Sequence, residues 1–155
     1  MGGALSIASG VLVPEADAVV AFYGVPPPEL ADPSLAKAPI QAHFGELDNI
    51  LLSQVLNGCT LPIVFLVLKK QKVILFPFLF FFFRQAAKAL EEKLKSSGVP
   101  YEVYIYPRSG HAFMNASPDG IKRRKEMGMT DEDPAAVELA WSRFSSWMGR
   151  YLLSP

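Results

Sequence analysis

Residues 17–24 read Asp17-Ala-Val-Val-Ala-Phe-Tyr-Gly24, and the apolar run inside them, Ala18 to Tyr23, is continuous rather than alternating. A strand with one solvated face alternates apolar and polar residues; an unbroken run predicts burial on both faces, as in a parallel sheet covered by helices. Gly24 ends the run. Upstream, Met1 to Ser9 are small and apolar, the texture of a helix that packs tightly on a sheet, with Gly10 as its expected stop. Downstream, Val25-Pro-Pro-Pro-Glu29 through Ala38 is too rich in proline for helix or central strand and predicts a surface connection. Pro39 to Phe44 is a second short strand, closed by Gly45-Glu-Leu-Asp48.

The same alternation continues toward the C-terminus. Ala86 to Ser97 carries Ala86, Leu90 and Leu94 on one helical face, pairs Glu91 with Lys95, and stops at Gly98. Tyr101-Glu-Val-Tyr-Ile-Tyr106 is rich in β-formers, and after Pro107 the turn Arg108-Ser-Gly110 leads to His111. Asp133 and Pro134 cap and open a last helix whose residues Val137, Trp141, Phe144, Met148 and Tyr151 follow helical spacing and are expected to face the sheet. Strands alternating with helices imply an α/β fold, a parallel sheet of few strands flanked by helices. Three strands leave two open edges and little buried area, so residues 1–155 read as one domain that is part of a larger fold.

At 155 residues, half of them hydrophobic, the chain has material for one core. Fifteen basic residues balance fifteen acidic ones, so no net field favours nucleic acid or an anionic membrane as partner. A single cysteine, Cys59, excludes an intramolecular disulfide and suits a reducing, cytoplasmic setting. The N-terminus lacks a basic region and a long apolar core, so it does not read as a secretory signal, although Gly2 and Ser6 fit a myristoylation pattern. The sequence leaves the oligomeric state open.

Residues 50–85 depart from this texture. Leu61 to Leu68 and Val73 to Phe83 are apolar runs of eight and eleven residues separated by Lys69, Lys70 and Lys72. Each is shorter than the roughly twenty residues a bilayer demands. Phenylalanine is encoded only by pyrimidine-rich triplets, so Phe76-Pro-Phe-Leu-Phe-Phe-Phe-Phe83 resembles a translated polypyrimidine tract, with Gln85 standing for the CAG that would close it. The expectation is an anomalous apolar insertion over much of 50–85, from a retained intron or a gene-model error. Translated as written, its last stretch is apolar, uncharged and β-prone, an aggregation hazard.

Asp48 and His111 are the candidate catalytic residues. A carboxylate after one strand and a histidine after a later one, in that chain order, match the last two members of a nucleophile–acid–histidine triad. Taken singly, Asp48 has the alternative of a turn or capping residue and His111 that of an ordinary loop histidine. Gln41-Ala-His-Phe-Gly-Glu-Leu-Asp48 and Tyr106-Pro-Arg-Ser-Gly-His-Ala-Phe113 resemble the acid-bearing strand end and the histidine loop of the dienelactone hydrolase family of α/β-hydrolases. The resemblance extends over most of the chain outside 50–85 and is most specific over Ala86 to Asn115.

That resemblance implies hydrolysis of a lactone or small carboxylic ester, without cofactor. The family's nucleophile is a cysteine in a Gly-x-Cys-x-Gly elbow. Met1-Gly2-Gly3-Ala4 resembles the stretch immediately after that cysteine, so the expected reading is a C-terminal part that keeps the acid and histidine and lacks the nucleophile. Cys59, in no elbow context, is no substitute. The rival expectation is a catalytically inactive fragment that binds a partner or membrane through 61–83. His43, next to Phe44 in its strand, reads as a packed core residue. Two histidines and one cysteine offer no metal-site spacing, and there is no phosphate loop. Ile121-Lys-Arg-Arg-Lys125, flanked by acidic residues, reads as a solvated face.

Overall fold

The computed structural model describes residues 1–48, 75–126, 129 and 133–152, with backbone alone over 75–85. In chain order the elements are α1 (Gly2–Leu12), β1 (Val19–Phe22), a 3-10 turn (Pro33–Leu35), β2 (Ile40–Gly45), α2 (Leu75–Ser97), β3 (Tyr101–Tyr106), α3 (Pro118–Glu126) and α4 (Pro134–Leu152). The three strands form a parallel sheet in the order β1-β2-β3, its parallel sense being the one that the unbroken run of β1 implies. Central β2 is buried along its whole length.

Side-chain alternation gives the sheet two unlike faces. Val19, Ala21, Ile40, Ala42 and Phe44 point to one side, where Ile7, Ala8 and Val11 of α1 and Ala87, Leu90 and Leu94 of α2 cover them in a single apolar core. Fully burying a Leu or Ile side chain contributes about 1.5–3 kcal/mol, so Ile7, Ile40, Leu90 and Leu94 each add on that order. Gln41, His43, Glu102, Tyr104 and Tyr106 point to the other side, under α4, and are joined by hydrogen bonds. Gln41 Nε2 donates to Glu102 Oε2 (2.8 Å) and to the Arg143 carbonyl (3.2 Å). Tyr104 also donates to Glu102, and Arg150 Nη1 bonds its other oxygen. The Arg143 guanidinium lies 3.8 Å from the centroid of the Tyr104 ring.

Several elements differ from expectation. Gly10 is not a stop: α1 runs to Leu12, and Val13, restrained by Pro14, turns extended. A Cβ on Gly10 would lie 3.1 Å from Val19 Cγ2 and 3.2 Å from Ile40 Cδ1, so the glycine is there to let helix and sheet approach. The helix expected from Ala86 begins at Leu75, and the Leu75–Phe83 backbone is helical rather than β. Pro77 falls in its first turn, where a missing N–H costs no intrahelical bond. Residues 49–74, which hold Cys59 and most of the anomalous window, lie outside the described residues. Among the described residues no helix is long and apolar enough to cross a membrane.

Two surface expectations also change. α4 is rotated from its predicted face: Ala136, Ala140 and Trp147 are buried while Trp141 is 51% exposed. Its start is as read, with Asp133 accepting from the Ala136 N–H. Ile121 to Lys125 lies on α3, capped by Ser117, whose hydroxyl accepts from the Gly120 N–H at 3.1 Å. Three of its four cations are exposed, but Arg124 is buried.

Candidate active site

The carboxyl ends of β2 and β3 carry the two loops that meet. Glu46 N–H donates to the Tyr106 carbonyl (2.9 Å) and Leu47 N–H to the Ser109 carbonyl (2.9 Å), so the acid loop is laced to the histidine loop by backbone bonds. Gly45 makes this contact possible, because a Cβ there would overlap the carbonyl oxygens of Ser109 and Gly110. Asp48 comes next in a tight turn, its N–H donating to the Gly45 carbonyl.

Asp48 and His111, singled out in the sequence, are brought together. His111 Nδ1 lies 2.8 Å from Asp48 Oδ2, with the Asp48 side chain fully buried and that of His111 about one-fifth exposed. A carboxylate only accepts, so Nδ1 carries the proton, and Nε2 has no hydrogen-bond partner among the described residues. A buried carboxylate that fixes one imidazole nitrogen and leaves the other open can move a proton to and from a group placed at Nε2.

The loop around His111 is held from three sides. Arg124, reaching in from α3, donates to the carbonyls of Ala112 and Asn115 on either side of Phe113 and Met114. The Tyr23 hydroxyl accepts the Met114 N–H at 2.9 Å, and its ring stands 5.2 Å from the imidazole. Phe113 packs against both Tyr23 and Tyr106. The positive-φ residues other than glycine among those described are Tyr23, Arg108 and Ala112, and all three belong to these segments. Backbone strain of this kind persists only where neighbours over-determine it, and it gathers at functional sites.

His43 is the buried core residue the sequence suggested. Its Nε2 faces Gln41 Oε1 at 2.8 Å and its Nδ1 faces the Tyr106 hydroxyl at 2.9 Å. Gln41 has committed its amide N–H groups elsewhere, so His43 Nε2–H donates to the amide oxygen and Tyr106 donates to Nδ1. Burial, aided by the Arg143 charge, pushes the His43 pKa down to about 4. Burial raises Tyr23 to about 12, against the opposing pull of the Met114 N–H. For Glu102 burial acts upward, but bonds from Gln41, Tyr104 and Arg150 outweigh it and hold the carboxyl below its ordinary value. Among the described residues no three of His, Cys, Asp or Glu gather as metal ligands would.

Tyr23 and Arg124 escaped the sequence reading. Tyr23 looked like the last residue of an apolar strand, and Arg124 like one cation in a basic run. The signal that was available for Arg124 is Ser117-Pro118, a helix start that turns one residue in four of that run inward.

A parallel sheet whose adjacent strand ends present a buried carboxylate to an imidazole is the arrangement of the α/β-hydrolase class. Within that class the chain belongs to the dienelactone hydrolase family, whose model matches residues 1–60 and 80–152. A solved structure from Klebsiella pneumoniae subsp. pneumoniae, assigned as a dienelactone hydrolase, is 16% identical with a TM-score of 0.58, a likeness of fold. The match covers 96% of this chain and 48% of that one, so the chain spans about half the length of the Klebsiella protein. A comparison with curated proteins finds no match.

Proposed function

We propose that Asp48 and His111 are the acid and the general base of a hydrolase acting on lactone or small carboxylic ester bonds. The observation that carries this reading is the 2.8 Å bond from His111 Nδ1 to a fully buried carboxylate, with Nε2 left open. In acyl transfer a thiolate attacks the ester carbonyl, the tetrahedral intermediate expels the alkoxide, and water then releases the acid. His111 Nε2 takes the nucleophile's proton and returns it to the leaving group, while Asp48 holds the Nδ1–H tautomer and stabilises the imidazolium. This sequence holds one cysteine, Cys59, which is outside the described residues and in no Gly-x-Cys-x-Gly setting. Asp48 and His111 are the members of that mechanism which this sequence supplies.

Hydrolysis of aryl esters and small lactones by the purified chain tests the reading. Turnover that falls by about a thousandfold or more in His111→Ala supports the hydrolase reading. Turnover that is absent, or is unchanged by that substitution, favours the second reading, a catalytically inactive member of the family.

A further inference from the structure

Tyr23 does more than close a strand. It stands at φ +61°, a conformation that L-residues rarely adopt, and among the described residues it is the side chain outside the histidine loop that touches both the imidazole and the backbone beyond it. Its ring is inclined 51° to the His111 ring with centroids 5.2 Å apart, and its edge-to-face contact with Phe113 fixes it from behind. Its hydroxyl accepts from the Met114 N–H, three residues beyond His111, where the chain would otherwise leave a donor unmatched. A strained residue just after β1 thus anchors the loop whose imidazole meets Asp48.

We propose that Tyr23 is the positioning residue for His111: its ring sets the plane of the imidazole and its hydroxyl locks the loop, so that Nδ1–H stays on Asp48 and Nε2 stays free. This rests on the acid–base role proposed for His111, but it is read by a signal independent of turnover. The protein has only two histidines, and they hold opposite tautomers. His111 is protonated at Nδ1 and His43 at Nε2, so each reports separately and His43 serves as the internal reference.

Long-range 1H–15N correlation spectra of the 15N-labelled full chain, at a pH well above the ordinary histidine range, measure both tautomers. In Tyr23→Phe, which keeps the ring and removes the acceptor, the Met114 amide should exchange with solvent roughly tenfold faster. The His111 tautomer should shift from Nδ1–H toward a mixture, with His43 unchanged. A wild-type His111 tautomer in that variant overturns the proposal, whatever the exchange at Met114. If Tyr23→Phe does not fold, the wild-type protein decides. Ring-to-ring nuclear Overhauser contacts between Tyr23 and His111, with a protected Met114 amide, support the role, and their absence overturns it. Ester turnover measured alongside keeps the two claims apart. A His111 tautomer that depends on Tyr23 in a chain without turnover sinks the hydrolase reading alone, and an indifferent tautomer in an active chain sinks the Tyr23 role alone.

Discussion

At the scale of single residues, the two histidines are managed in opposite ways. His111 keeps one nitrogen open, whereas His43 is sealed between Gln41 and Tyr106 and its pKa is depressed to about 4. The unfolded chain takes up that proton near pH 6.5, the ordinary histidine value, and the folded one only near pH 4. Between those values the unfolded state binds more protons, so stability rises with pH, is fully present above the upper value and is lost toward the lower one. The contribution is on the order of 3 kcal/mol. Urea unfolding at pH 7 and pH 4.5 should show the loss in the wild type and a markedly smaller one in His43→Gln; equal losses would refute the assignment. His43 was legible as a core residue because its neighbours are apolar, and Asp48 and His111 were legible because each sits in a recognisable local setting. Tyr23 was not, since a positive φ leaves no mark on a sequence unless glycine or asparagine supplies it.

Among the elements, strands were read more accurately than helix limits. β3 runs from Tyr101 to Tyr106 as the β-rich run before Pro107 indicated, while β1 and β2 shift by a residue or two. Helix limits depended on which residues tertiary contacts demand: Gly10 looked like a terminator because the pattern of a close helix–sheet crossing and that of a C-cap are the same single glycine. α4 shows the same limit in its orientation. Helical spacing identified an apolar stripe through Trp141, yet small Ala136 and Ala140 are what allow the helix to approach, so it turns them and Trp147 inward. Trp147→Ala should therefore cost about 3–5 kcal/mol in urea unfolding. Trp141→Gln, at a half-exposed position, should stay within about 0.5 kcal/mol, and the reverse ranking would restore the orientation read from the sequence.

At the scale of the molecule, the family match resumes at residue 80 after leaving 61–79 unmatched, inside the window whose texture suggested an intron. Direct sequencing of the transcript is expected to find spliced messages without most of the codons for 50–85. A chain lacking 61–79 should be less prone to aggregate on refolding, at unchanged or higher unfolding midpoint; a spliced message that encodes Phe76 to Phe83 would count against the intron. The parallel sheet was legible from the unbroken run of β1 and from strands alternating with helices, but the contrast between its faces was not. Gln41, His43, Glu102 and Tyr104 alternate with apolar residues as if for solvent, and only α4 shows that they are roofed. That contrast has a thermal consequence. Apolar surface exposed on unfolding raises the heat capacity and polar surface lowers it, so the hydrogen-bonded layer under α4 partly cancels the increment from the layer under α1 and α2. Stability should accordingly curve less with temperature than in a sheet of equal size greased on both sides, giving a broader plateau and a gentler decline on warming and on chilling alike.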